Sequence, residues 1–398
     1  MRIAFLTNEF VIEKPDAGGL GNYLNRITSL LYQQGHEIEI FVTRHKLDTP
    51  KYIDFNGVKV YHVPVQKGKI FNGIAWLDKY FIHADYGGGL AYNIGVPLSL
   101  SKALEKRHKE APFNMIQSAN VAFTGLFIKR MKTRLHMTRL SSIMEEWMVN
   151  DGYTKGIGFK LLIFLNKIAI RNADVIYSPS IYSAVNHKGL KDRKVHVIRP
   201  PFFIENELVD ISKYNLPNRY FIHYGSIGSL KGSDIIAKAL PLVWDKIPEF
   251  RMVWAGRERE HEVMKIYKQI WKDNSNKVIW FDGLVKNELY AALKQAEVSV
   301  LPSKVDNLPN TVLESLLMSV PVIGSNGASI DELVGHKKNG ALVEIGNVKL
   351  LAETMINAWN NKETWLDNGF ENIDSIKDFY PSKAVDKLVE LYEKSIKD

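Results

Sequence analysis

Short apolar runs, each followed by a turn and an amphipathic stretch, alternate along the chain, and this order constrains its fold more than any other feature. A strand that returns beside its predecessor through a helix builds a parallel sheet covered on both faces. The runs at 3–8, 37–43, 58–65, 115–120 and 174–180 read as strands of one such sheet. Those at 219–225, 250–256, 278–283, 298–303, 321–326 and 341–345 read as strands of a second. Between the first two runs, Leu24, Ile27, Leu30 and Leu31 recur at helical spacing, which predicts a helix over 21–34 stopped by Gly35. The strand, glycine turn and helix order restarts after Arg199-Pro200-Pro201 and the polar segment that follows. The expected class is therefore α/β, with a domain over 1–205, a second over 206–375, and a helix over 376–398 packing back on the first.

At 398 residues there is chain enough for two such domains. A hydrophobic content of 45% with 24% charged residues is ordinary for a folded protein and excludes collagen-like or disordered readings. The absence of cysteine removes disulfides, thiolate zinc sites, iron–sulfur clusters and a cysteine nucleophile, and fits a reducing cytosol. Neither His-Glu-x-x-His nor Asp-x-Asp occurs, so no metal is expected. No apolar run approaches the roughly 20 residues of a membrane span, and Glu9 and Glu13 interrupt the opening run short of a signal-peptide core. Charge is uneven: residues 1–200 carry +12 and the remainder −4, within a total of +8. A basic half of this kind suits an anionic membrane, a phosphorylated carrier or nucleic acid. Lys129, Arg130, Lys132 and Arg134 form its densest run, and the 155–171 stretch combines basic residues with an apolar stripe. Without a nucleic-acid module or interleaved aromatics, nucleic acid is the weakest of the three partners.

Three segments carry residue types suited to phosphate and sugar chemistry. Ala17-Gly18-Gly19-Leu20-Gly21 lies between a strand and its helix, where glycines let backbone N–H groups approach an anion. It lacks the G-x-G-x-x-G spacing and the acidic ribose partner of a dinucleotide site, and a plain tight turn is the competing reading. A second strand-to-helix turn runs from Gly225 through Ser226 to Lys231-Gly232, and its lysine adds a full charge to the helix dipole, unless it is only a solvated surface lysine. The third holds Asp306 and Glu314, eight residues apart across a loop and the following helix, and carboxylates accept from paired sugar hydroxyls. Taken alone, Glu314 reads better as a helix-start glutamate.

Together these segments resemble a family 4 retaining glycosyltransferase (glycosyltransferase group 1) of the GT-B fold, over essentially the whole chain. The resemblance rests on Gly18-Gly19, the turn ending Lys231-Gly232, Trp254-Ala255-Gly256, the 281–293 stretch, and Asp306-x7-Glu314 followed by Pro321-Val322 and Asp331-Glu332-Leu333-Val334. It implies two Rossmann-like doubly wound domains facing across a cleft, and a nucleoside-diphosphate sugar as co-substrate, with UDP and GDP both open and no separate cofactor. In its terms Glu314 binds the ribose, while Asp306 and the Leu308, Pro309, Asn310 and Thr311 segment hold the donor sugar and its phosphate. Lys231 neutralises the leaving diphosphate, the 283–286 segment with Val285 covers the base, and Gly18-Gly19 closes over the phosphates. Two positions depart from the pattern: Asp306 stands where glutamate is usual, and Ser226 where an arginine is usual, leaving Lys231 as the main expected cation. Where many members carry a histidine, this chain has Arg139, Leu140 and Ser141, so Arg139 and Ser141 are the acceptor-side candidates.

The expected activity is transfer of a sugar, with retention, to a hydroxyl of a glycan or lipid-linked acceptor in cell-surface polysaccharide synthesis. The expected location is cytoplasmic, peripheral on the inner face of the membrane. A sugar-nucleotide epimerase of the same fold and a catalytically degenerate nucleotide-sugar-binding protein are the alternatives.

Overall fold

The computed structural model describes residues 1–12, 18–44, 52–84, 86–153, 156–187, 189–204, 208–367 and 369–397. Ala17, Lys155 and the expected domain boundary at 205 lie outside them. The chain forms two compact units, Met1–Phe202 together with Phe379–Asp398, and Phe203–Asp378.

The first unit holds an eight-stranded sheet: β1 (Arg2–Thr7), β2 (Glu37–Arg44), β3 (Tyr52–Phe55), β4 (Val58–Pro64), β5 (Met115–Ala119), β6 (Leu135–Arg139), β7 (Val175–Ser178) and β8 (Val195–Val197). Their order is β3-β4-β2-β1-β5-β6-β7-β8, parallel throughout except for the β3–β4 pair. Its helices are α1 (Gly19–Gln33), α2 (Lys69–Leu77), α3 (Gly89–Glu110), α4 (Met144–Asn150), α5 (Ile157–Arg171) and α6 (Ile181–Asn186). β1 is apolar almost end to end because a central parallel strand is covered on both faces. α1 turns Leu20, Leu24, Ile27 and Leu31 into the core, and Gly35, at φ +85°, ends the turn that follows. The alternating runs do not include β3, β6 or the three-residue β8. For β3 the signal was present: Asn56-Gly57, both at positive φ, form the tight turn that joins it to β4.

The second unit holds a six-stranded parallel sheet of β9 (Phe221–Tyr224), β10 (Met252–Ala255), β11 (Val278–Phe281), β12 (Val298–Leu301), β13 (Val322–Ser325) and β14 (Gly340–Val343), in the order β11-β10-β9-β12-β13-β14. Its helices are α7 (Ser233–Lys246), α8 (Val263–Trp271), α9 (Lys286–Gln295), α10 (Asn310–Leu317) and α11 (Val348–Asn360). Trp254, Trp244, Trp271, Phe250 and Trp359 anchor its core, with Trp254 edge-on to Trp271 at 5.3 Å. Each such ring, fully buried, contributes about 1.5–3 kcal/mol.

The last helix, α12 (Pro381–Lys397), belongs to the first unit. Proline at its first position costs no hydrogen bond, and Val385, Leu388, Leu391 and Tyr392 sink into the core that β1 and α1 line. The Tyr392 hydroxyl donates to Gln117 Oε1 on β5 at 2.5 Å. No helix among the described residues is long and apolar enough to cross a membrane.

Candidate active site

In an open parallel sheet the carboxyl ends of the strands, where loops lead into helix N-termini, are the places for a ligand. In the second unit β9 ends at Tyr224 and the chain turns through Gly225, at φ +105°, and Gly228 into a single tight helical turn, Ser229–Lys231. Gly232, at φ +73°, leads into α7, and a Cβ there would fall 2.0 Å from the Pro302 carbonyl oxygen, so only glycine fits. A buried relay fixes this turn. His223 on β9 donates from Nδ1 to the Val300 carbonyl at 2.8 Å, which leaves Nε2 to accept from Ser233 Oγ at 2.9 Å. Ser233 Oγ in turn accepts the Gly228 N–H at 2.9 Å. Burial pushes the His223 pKa down to about 4, so the ring is neutral, as the relay requires.

The loop after β12 is stapled to that turn by two lysines. Lys231 Nζ contacts Asp306 Oδ2 at 2.5 Å, while the other carboxylate oxygen accepts the Asn307 N–H at 3.1 Å. Lys304 Nζ bridges Ser229 Oγ at 2.8 Å and Asp234 Oδ2 at 2.9 Å. Lys231 therefore does not stand alone as the expected cation: its charge is shared with Asp306, which is 10% exposed. Leu308 sits at φ +60°, held by its N–H donating to Ser329 Oγ at 2.5 Å. Pro309 then opens α10 with Asn310 as its first residue, and the Thr311 carbonyl accepts from the Tyr224 hydroxyl. Glu314, buried one turn further on, accepts from the Tyr290 hydroxyl at 3.0 Å. Burial first, and the Glu314 charge second, raise the Tyr224 phenol well above its ordinary pKa, so it stays a hydrogen-bond donor.

Ser226, Lys231, Asp306, Leu308, Pro309, Asn310, Thr311 and Glu314 thus gather at one end of one sheet. Val285 is 64% exposed just before α9 in the neighbouring loop. Lys304, Tyr290 and Ser329 complete the assembly and escaped the sequence reading. Tyr290 lies within the 281–293 stretch already singled out and Lys304 two residues before Asp306, but only the fold shows what they touch.

In the first unit Gly18-Gly19 does stand at the N-terminus of α1, yet a carboxylate is already there: the Gly21 N–H donates to Glu9 Oε1 at 3.0 Å, and a Cβ on Gly18 would lie 3.4 Å from that oxygen. The first-turn amide expected to face phosphate is taken by Glu9. Arg139 and Ser141 do meet, at the carboxyl end of β6: Arg139 Nη1 donates to Ser141 Oγ at 2.7 Å, and the guanidinium lies 4.1 Å from the Tyr23 ring centroid. Beneath them Tyr23 and Tyr177 share a hydroxyl contact at 3.0 Å, with Gln117 Nε2 donating to Tyr23. His136 is buried further back on β6 between Ser118 Oγ and the Asn172 carbonyl, and burial lowers its pKa to about 3. It is a neutral core histidine, not an acceptor-side base.

Half of the basic run is structural too. Arg134 is buried on Glu105 at 2.6 Å, and Arg130 donates to the Arg171 and Asn172 carbonyls at the end of α5, leaving Lys129 and Lys132 exposed.

Residues 205–368 match the family model described as "Glycosyl transferases group 1". Among curated proteins, an uncharacterized glycosyltransferase of Haemophilus influenzae is 24% identical over 44% of this chain and 48% of its own. The O-antigen biosynthesis glycosyltransferase WclY of Escherichia coli is 24% identical over 57% of this chain and 65% of its own. The chain spans about half the length of the first curated relatives it matches. Among solved structures, Anabaena HepE in complex with UDP-glucose superposes with a TM-score of 0.71 at 15% identity, over 99% of this chain and 100% of that one, a likeness of fold. Residues 205–368 are thus a group 1 glycosyltransferase domain, and the chain that carries them has the GT-B fold.

Proposed function

We propose that the protein transfers a sugar from a nucleoside-diphosphate sugar to a hydroxyl of a glycan or lipid-linked acceptor, with retention, in the building of a cell-surface polysaccharide. The observation that carries this reading is the pairing of Lys231 with Asp306 and of Tyr290 with Glu314 at the carboxyl end of one sheet, inside the matched domain. Glu314 presents a carboxylate, oriented by a tyrosine, to a ribose; Lys231 offers charge to a diphosphate; Asp306 and the backbone from Leu308 to Thr311 face the sugar. In the reaction the bond from the anomeric carbon to the diphosphate oxygen breaks, and the acceptor oxygen bonds to that carbon. The acceptor proton passes to the departing phosphate. Positioning and charge stabilisation then supply the rate, with no protein nucleophile. The O-antigen relative and the UDP-glucose complex of the HepE structure support the substrate classes named.

Peripheral attachment to an anionic membrane is part of the proposal, but the surface differs from the one the charge run suggested. α2 buries none of its residues; Ile70, Trp76 and Leu77 are exposed on it, with Tyr80 and Phe81 just beyond. Ile157, 71% exposed, and Phe81 line one cavity, and Lys67, Lys69, Lys79 and Lys160 are exposed nearby in sequence. Aromatic groups flanked by lysine suit a headgroup layer.

Two assays test the reading. Incubation with UDP- and GDP-sugars should give transfer to lipid-linked saccharide acceptors; conversion of donor to a new sugar nucleotide without acceptor would make the chain an epimerase, and donor binding without turnover a binding protein. Sedimentation with phosphatidylglycerol vesicles should recover the protein at low salt, and Trp76→Ser with Phe81→Ser should abolish recovery. Equal recovery of this variant would refute the α2 surface.

A further inference from the structure

We propose that Arg257 supplies the second diphosphate cation that Ser226 does not, an inference that rests on the nucleotide-sugar reading above. Beyond the ends of β9 and β10 the two chains stay paired: the Ile227 N–H donates to the Arg257 carbonyl and the Arg259 N–H to the Ile227 carbonyl, both at 2.8 Å. This parallel bridge places Ile227 opposite Glu258, and therefore Ser226 beside Arg257. Side-chain parity follows from it. Ile227 is fully buried and the Glu258 carboxylate turns in to accept the Met264 N–H at 2.6 Å, whereas Ser226 and Arg257 both lie exposed on the other face.

The arginine's surroundings are those of the site. A Cβ on Gly225 would lie 3.4 Å from Thr311 Cγ2, at the start of α10, and a Cβ on Gly283 would lie 3.7 Å from Arg257 Nε. Arg257 thus runs between the turn that carries Ser226 and the loop that carries Val285, where the resemblance puts phosphate and base. A guanidinium moved one strand sideways reaches the same ligand from the neighbouring backbone, and its planar fork suits two phosphate oxygens.

Calorimetry with uridine, guanosine, adenosine, cytidine and thymidine diphosphates and the parent nucleosides tests this. Arg257→Gln should weaken the preferred diphosphate roughly ten- to hundred-fold, the span of one charged hydrogen-bonding partner, and leave the parent nucleoside within about two-fold. Ser226→Arg added to Arg257→Gln should restore most of the loss, which a merely structural role would not allow. Unchanged diphosphate affinity in Arg257→Gln, or a loss seen with Arg259→Gln instead, overturns the inference while leaving the donor reading intact. Binding of none of the five diphosphates by the unaltered protein overturns the donor reading and this inference with it.

Discussion

Lys231→Ala should damage the protein twice, and the two injuries can be separated. The wild-type contact of 2.5 Å, at an effective dielectric of about 20, is worth roughly 7 kcal/mol of attraction, most of it offset by the water both ions give up. Removing the lysine cancels the attraction but not the burial of Asp306, which among the described residues keeps the Asn307 N–H as partner. Fully buried pairs broken this way lose 3–5 kcal/mol; with side chains 23% and 10% exposed, the loss here should be about 2–4 kcal/mol. For a unit of this size that lowers Tm by about 5–15 °C. Lys231→Ala with Asp306→Ala removes the stranded carboxylate and should recover stability to within about 1 kcal/mol of the unaltered protein, while transfer stays abolished. Scanning calorimetry of the two variants beside a donor-turnover assay decides the matter. A single variant as stable as the unaltered protein, or a double variant no better than the single, would refute the electrostatic account of this pair.

Glu314→Gln should weaken nucleoside diphosphate binding about 10- to 100-fold by titration calorimetry, with the fold intact because the amide oxygen can still accept from Tyr290. His223 and His136 have folded pKa values of about 4 and about 3, below the unfolded value of 6.5, so the unfolded chain binds protons first as pH falls. Stability to urea should therefore be full above about pH 6.5 and decline below it by about 1.4 kcal/mol per pH unit for each histidine; a flat profile from pH 7 to 5 would contradict this. Gly256→Ala would set a Cβ 1.6 Å from the Gly225 carbonyl oxygen, and should cost more than about 3 kcal/mol or prevent soluble expression.

What the sequence made legible was what is local. The Asp306 to Glu314 segment is one loop and one helix, so its spacing already says that both carboxylates belong to one end of α10. The turn at Lys231-Gly232 was equally plain, because the glycine it needs is written beside the lysine. Partnerships across the sheet were not legible: Lys231 and Asp306 are 75 positions apart, and no periodicity tells a lysine awaiting phosphate from one already paired. The role of Glu9 at α1 escaped for a related reason, since its oxygen meets the Gly21 amide only once β1 and α1 are set side by side. Arg130 and Arg134 misled, because basic residues in a row look like a surface until a helix end and Glu105 are seen to consume two of them.

The placement of α12 has a consequence for the order in which the protein can be made. A ribosome delivers the chain from its first residue onward, so every strand of the second sheet emerges before Val385, Leu388 and Tyr392 exist to complete the core of the first. Until then the core that β1 and α1 line lacks the apolar side chains of α12, while every residue of the second unit is already present. Expression of residues 1–205 alone would freeze that waiting state, and chaperones that bind nascent apolar surface should engage the first half of this protein for as long as the second half takes to be synthesised.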